Sequence, residues 1–197
     1  MNSLDNVLNL LFISGYLTID RFEITPFGND KIYAKLPNAE SRGLFNNIIS
    51  EILSTDYKIQ SRFVESFCLG ILNNDKELIQ NTLNKMLVNI SYMDSSESFY
   101  HGYLLGLFSM FLNNKRFIVR SNRESGLGRF DLMIKATDNS VGMIIELKVG
   151  DKELDSIALK ALEQINSKKY EEELKDSGIT NIYRYAIAIS SKECSVK

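Results

Sequence analysis

Gly128-Arg129-Phe130-Asp131-Leu132-Met133-Ile134-Lys135-Ala136-Thr137-Asp138-Asn139-Ser140-Val141-Gly142-Met143-Ile144-Ile145-Glu146-Leu147-Lys148-Val149-Gly150 sets two β-prone runs around a Thr-Asp-Asn-Ser turn cluster. The pattern predicts a hairpin. With Asp138-Asn139 as a two-residue loop, paired positions sum to a constant, so Asp131 falls opposite Glu146 and Arg129 opposite Lys148. One face then carries Phe130, Leu132, Ile134, Ala136, Val141, Met143, Ile145, Leu147 and Val149, an apolar surface suited to a core. The other carries Arg129, Asp131, Glu146 and Lys148.

Two carboxylates opposed at a Cβ separation of about 5 Å repel by about 3 kcal/mol at an effective dielectric near 20, so the pair calls for positive charge between them. A divalent cation answers this. Hard ions such as Mg²⁺ take carboxylate and carbonyl oxygens, keep several waters and bridge to substrate phosphate. Lys148, two residues beyond Glu146, projects on the same face, where an ammonium can orient a water or offset charge developing on a phosphate. The alternative is that Arg129 and Lys148 neutralise the acids on a solvated strand face.

Asp131 followed by Glu146-Leu147-Lys148 resembles the PD-(D/E)XK nuclease superfamily, with Gly-Arg-Phe-Asp in place of Pro-Asp and Glu-Leu-Lys as the (D/E)XK element. Phe130 stands where that pattern has proline. Three further stretches look like one branch of the superfamily: Glu97-Ser98-Phe99-Tyr100-His101-Gly102; Ala161-Leu162-Glu163-Gln164-Ile165 with Lys169-Tyr170; and Tyr185-Ala186-Ile187-Ala188-Ile189. Members of that branch are typically found C-terminal to an AAA-ATPase-like domain. A looser likeness to the segment joining ATPase and nuclease runs through residues 8 to 55. No Walker-type Gly-rich loop occurs in this chain, so no nucleotide triphosphate is expected to bind by that route, and an ATPase acting in trans is a candidate partner.

The resemblance implies a metal-dependent nuclease hydrolysing phosphodiester bonds in nucleic acid, with DNA as the expected substrate. Asp131, Glu146 and the Leu147 carbonyl would hold Mg²⁺ or Mn²⁺, and Lys148 would help to position the attacking water. Glu97 resembles the acid that the first helix of the nuclease core sends toward the metal; the alternative is a first-turn glutamate favoured by the helix dipole. Gln164 matches the family's Gln-Ile element and would hold water or phosphate near Lys148, although a surface glutamine reads the same way. The other class of function is a catalytically inactive nuclease-fold module that binds nucleic acid or a partner protein.

The chain has 197 residues, 44% apolar and 24% charged, ordinary for a folded globular protein. Its net charge of −2 means that any nucleic-acid groove must be local. Lys115, Arg116, Arg120, Arg123 and Arg129 cluster before the acidic pair, and Lys168 lies one helical turn beyond Gln164. Arg123, Arg129 and Lys168 are the candidate nucleic-acid contacts, against a reading of the basic cluster as solvated charge. Cys68 and Cys194 lack metal-ligand spacing, and no disulfide is expected. A single histidine, His101, rules out a multi-histidine metal site and reads as a structural hydrogen-bonding residue. With no basic leader after Met1 and no run near 18 apolar residues, the expectation is a cytoplasmic protein without membrane association.

Two regions are predicted. Residues 1–93 form a mainly helical region: a helix over 3–14, strands over 17–24 and 31–36 about Pro26-Phe27-Gly28-Asn29-Asp30, then helices from Asn38 to Leu53, 57 to 73 and 75 to 91. The helix and hairpin are similar to a winged-helix wing, although small helix-hairpin packings also serve as linkers. Residues 94–197 form the nuclease-like domain: a helix over 96–113, strands over 117–121, 129–135 and 141–149, a helix over 154–175 and a strand over 182–189. The fold class is mixed α+β / α/β, a restriction-endonuclease-like αβββαβ core.

Overall fold

The computed structural model describes residues 3–24, 31–55, 60–90, 96–112, 116–125 and 128–197. The chain divides into two compact units, residues 1–51 and 52–197. The first holds α1 (Ser3–Ile13), β1 (Thr18–Glu23), β2 (Lys31–Lys35) and most of α2 (Ala39–Thr55). Gly15, at φ +79°, ends α1: its N–H bonds the Phe12 carbonyl and the Tyr16 N–H the Leu11 carbonyl, a Schellman closure. The β1 and β2 strands pair antiparallel, with Tyr33 Oη donating to Glu23 and the Arg21 guanidinium over the Tyr33 ring. The turn expected at Pro26–Asp30 lies outside the described residues.

The second unit opens with α3 (Ser61–Asn73) and α4 (Lys76–Leu87). Asn74, in the left-handed region at φ +56°, turns the chain between them, and the Asp75 carboxylate caps α4 by accepting the Leu78 N–H at 2.9 Å. The start expected for α3 at residue 57 falls at 56–59, outside the described residues. Then come α5 (Glu97–Phe111), capped by the Ser96 hydroxyl, and β3 (Phe117–Ser125), β4 (Gly128–Ala136) and β5 (Gly142–Val149). They are followed by α6 (Leu154–Lys168), α7 (Glu172–Asp176), β6 (Ile182–Ser190) and β7 (Glu193–Val196). The sheet order is β3-β4-β5-β6-β7, parallel only between β5 and β6, which α6 and α7 connect. This is the expected restriction-endonuclease-like core with one strand more.

Three local details depart from the sequence reading. The helix expected over 154–175 breaks at Lys169, whose φ of +53° ends α6 and turns Tyr170 inward. The β4–β5 loop spans Thr137–Ser140, closed by Ala136 N–H to Val141 carbonyl and an Asn139 at φ +58°, rather than two residues. Its register is nevertheless the expected one, Leu132↔Ile145 through Lys135↔Gly142, because a four-residue loop centred on the same point preserves the sum. β7, four residues after a tight turn at Ser191 (φ +40°), carries too short a pattern to read as a strand.

Both faces of the sheet are covered, so β5 and β6 run apolar almost continuously. On one face Met133 and Ile144 pack with Phe130, Ile165, Tyr170, Leu174 and Ile179. Phe130 thus joins this cluster instead of sharing a face with Leu132. Toward the other, Phe67 of α3 stacks on Phe108 of α5 at 5.3 Å, and the buried Tyr185 Oη donates to the Ile71 carbonyl at 2.8 Å. Among the described residues, no helix is long and apolar enough to cross a membrane.

Candidate functional site

The site is built where α6 comes closest to the sheet. Ala158 and Ala161 of α6 meet Ala186 and Ala188 of β6, all four fully or almost fully buried, and such small side chains let a helix approach a strand closely. Ala186 is also the cross-strand partner of Glu146, and Ala188 that of Lys148. The helix therefore covers Glu146, which is 2% exposed, and a solvated strand face is excluded for this carboxylate. Gln164 of α6 donates its amide to Glu146 Oε1 at 2.6 Å and to Tyr170 Oη at 3.1 Å. Tyr170 is set by the left-handed Lys169 and lies so close to Gly128 that a Cβ there would sit 3.0 Å from its ring.

Lys148 Nζ donates to Glu146 Oε1 at 2.7 Å and to the Leu147 carbonyl at 3.0 Å. One ammonium thus bridges a carboxylate and a carbonyl. Asp131 Oδ2 accepts the Leu147 N–H at 2.8 Å, so Asp131 and Glu146 flank the same residue of β5. Glu146 Oε2, by contrast, is buried and has no hydrogen-bond partner among the described residues. An orphaned carboxylate oxygen of this kind signals a missing cation or donor.

Burial is the largest influence on Glu146 and drives its carboxyl from the usual 4.5 up to about 7, with the Lys148 hydrogen bond opposing and the Asp131 and Glu97 charges adding to the rise. For Lys148 burial pulls downward, but the hydrogen bond and charge of Glu146, with Asp131 and Glu97, outweigh it and raise the ammonium. The Glu97 carboxylate, in the first turn of α5, is therefore within electrostatic reach of both. No three His, Cys, Asp or Glu side chains among the described residues gather closely enough to hold an ion alone. Two carboxylates, one of them with an orphaned oxygen, and a backbone carbonyl fit a hard divalent cation that keeps several waters.

The fold treats the basic residues unevenly. The Arg120 guanidinium is ion-paired with Glu173 at the start of α7, so charges of opposite sign separated by 53 positions cancel. Lys168, exposed at the end of α6, has its aliphatic stem beside Gly128. Lys115 and the side chains of Arg123 and Arg129 lie outside what is described. A polar groove of about 700 Å³ lies apart from Asp131 and Glu146, lined by Lys85, Lys152 and Lys192 and by Asp151, Glu153 and Glu193, charges of both signs.

Two participants carry no role in the sequence reading: Tyr170 supports the Gln164 amide, and Ala186 makes room beside Glu146. His101, expected to be a structural hydrogen-bonding residue, has Nε2 at 3.2 Å from the Asp131 carbonyl oxygen and 3.1 Å from Ser121 Oγ. The alternation of alanine with isoleucine in Tyr185–Ile189 was the available signal for a close helix approach; Tyr170 depends on the left-handed turn at Lys169, which no residue type announces. Comparison with curated proteins finds no match. Comparison with protein families matches residues 95–197 to the PD-(D/E)XK nuclease superfamily. With the β-strand carboxylates, the adjoining lysine, the αβββαβ order and this match over half its length, the chain belongs to the PD-(D/E)XK nuclease superfamily.

Proposed function

We propose that the protein is a metal-dependent nuclease that hydrolyses phosphodiester bonds in DNA. The observation that carries this reading is the buried Glu146, whose Oε2 has no partner among the described residues, set beside Leu147, whose N–H Asp131 accepts, and bonded by Lys148. Asp131, Glu146 Oε2 and the Leu147 carbonyl would hold Mg²⁺ or Mn²⁺, and Glu97 would complete a second site. Such an ion, when bound, polarises phosphoryl oxygens and makes bound water more acidic.

The chain's own groups supply the rest. Asp131 stays directed at the site through its bond to the Leu147 N–H. Lys148 Nζ holds the attacking water and offsets charge growing on the phosphate once the Leu147 carbonyl is engaged elsewhere. Gln164 keeps Glu146 oriented and, through Tyr170, keeps α6 at the distance at which substrate phosphate can be met. Water adds to phosphorus and the P–O bond to one sugar breaks, giving a phosphomonoester and an alcohol. Arg123, Arg129 and Lys168 would contact the flanking backbone.

The test is cleavage of supercoiled plasmid with Mg²⁺ or Mn²⁺ beside EDTA and Asp131→Ala controls. Activity is expected to vanish with EDTA and to fall in Asp131→Ala by more than the roughly 10–100-fold typical of an outer-shell partner. Cleavage unchanged in Asp131→Ala, with the fold intact by circular dichroism, would refute the assignment. The alternative reading is a catalytically inactive nuclease-fold module that binds nucleic acid or a partner protein. DNA binding that survives both EDTA and Glu146→Ala, without cleavage, would establish that reading.

A further inference from the structure

Around Asp131 the sheet gives up its own pairing. The β3–β4 ladder runs from Phe117↔Ala136 to Ser121↔Leu132 and resumes at Arg123↔Phe130, passing over Asp131. The β4–β5 ladder ends at Leu132↔Ile145, one residue short of it. The β3–β4 pairs on either side keep one register, so Asp131 stands opposite Asn122 where the ladder is interrupted, and its carbonyl can take a partner from outside the sheet. Its side chain is held by one group and its carbonyl by another. The Asp131 carboxylate takes the Leu147 N–H at 2.8 Å, and His101 Nε2 lies 3.2 Å from the Asp131 carbonyl oxygen and 3.1 Å from Ser121 Oγ.

The Asp131 carbonyl only accepts, so the pairing uses the tautomer with Nε2–H, and Ser121 Oγ on the adjoining strand lies within hydrogen-bond reach of the same nitrogen. His101 follows Glu97 by four residues, which places the two on one face of α5. The same helix therefore brings an acid within electrostatic reach of Glu146 and a donor to the strand that carries Asp131.

We infer that His101 is a positioning residue, its Nε2–H holding the Asp131 carbonyl in the gap of the ladder and so fixing the direction of the Asp131 carboxylate. The inference rests on Asp131 serving as a metal ligand. A carboxylate anchored only through Leu147 could swing with its own peptide planes, because the neighbouring strands do not clamp them. The carbonyl anchor removes that freedom, which is the role of outer-shell partners at metal sites.

Mn²⁺ binding to the full chain by isothermal titration calorimetry tests this without relying on turnover, for wild type, His101→Leu, His101→Gln and Asp131→Ala, with thermal unfolding in EDTA alongside. The Gln amide nitrogen reaches about as far as imidazole Nε2. His101→Leu is expected to weaken Mn²⁺ binding about 10–100-fold and His101→Gln to restore most of it. Wild-type affinity in His101→Leu with binding lost in Asp131→Ala would overturn the positioning role and leave the metal site standing. Wild-type affinity in Asp131→Ala would sink the metal site and the positioning role together. A folded His101→Gln that binds as weakly as His101→Leu would assign the histidine to packing alone and overturn the inference. Should His101→Leu not fold, His101→Asn, whose amide stops at the Nδ1 position, takes its place, and wild-type affinity there overturns the inference as well.

Discussion

Glu146 concentrates the conflict between stability and chemistry in a single side chain. It is 2% exposed, has no partner for Oε2 among the described residues, and has a carboxyl raised from 4.5 to about 7 chiefly by burial. A carboxyl raised on folding contributes stability that is fully present below about 4.5 and is lost as pH rises through about 7. In EDTA, wild type is therefore expected to lose stability across that window, while Glu146→Gln, which has nothing to ionise there, does not. At pH 8 the variant should be the more stable by about 3 kcal/mol, an order-of-magnitude figure from the linkage between proton affinity and folding. Urea unfolding between pH 4 and 8 reads it directly. Parallel pH profiles for the two proteins would mean that burial does not control this carboxyl.

At the scale of elements, the α6 crossover decides whether the site exists. Its Ala158 and Ala161 lie on Ala186 and Ala188, and that close seat delivers Gln164 to Glu146 and aligns the helix end that leads to Tyr170. Enlarging one member should lift the helix. Ala186→Leu is expected to destabilise the fold by about 1–3 kcal/mol through overpacking and, because Ala186 pairs with Glu146, to weaken Mn²⁺ binding as well. Thermal unfolding and calorimetry on the same sample would separate the effects. Stability lost with metal affinity untouched would show that Gln164 and Glu146 do not depend on this contact. The β4–β5 hairpin shows how robust a register is to its loop: four residues replaced the expected two, yet the faces kept their sides from Leu132 onward because the centre of the turn did not move.

For the molecule as a whole, the family match begins at residue 95 whereas the compact unit begins at Ile52. α3 and α4 explain the difference. In the β6–β7 ladder the N–H groups of Cys194 and Val196 point away from β6, and α4 meets them with Asn84 Oδ1 at 2.7 Å and Gln80 Oε1 at 3.0 Å. The sheet edge is thus closed by side chains of a helix, while Tyr185 Oη relies on the Ile71 carbonyl and Lys192 on the carbonyls of Val88 and Ile90. Residues 95–197 alone would lose these bonds, at about 0.5–1.5 kcal/mol each, and would bare Phe108 where Phe67 covers it, against a typical total of 5–15 kcal/mol. That fragment is expected to lack a cooperative unfolding transition, whereas residues 60–197 should keep one; a cooperative transition in the shorter piece would show that α3 and α4 are dispensable. What the sequence determined by itself was whatever depends on local direction and spacing: strands and helices from their periods, the β4–β5 register over Leu132–Lys135 from its turn centre, and the placing of Glu146 and Lys148 on one face of β5. Only the tertiary structure decided which distant groups meet: Gln164 with Glu146, Glu173 with Arg120, His101 with Asp131 and α4 with the edge of β7. Periodicity encodes the face on which a side chain stands, but the partner across the gap is chosen by how closely elements pack, and that distance is set by the alanines, glycines and turn residues of several segments acting together.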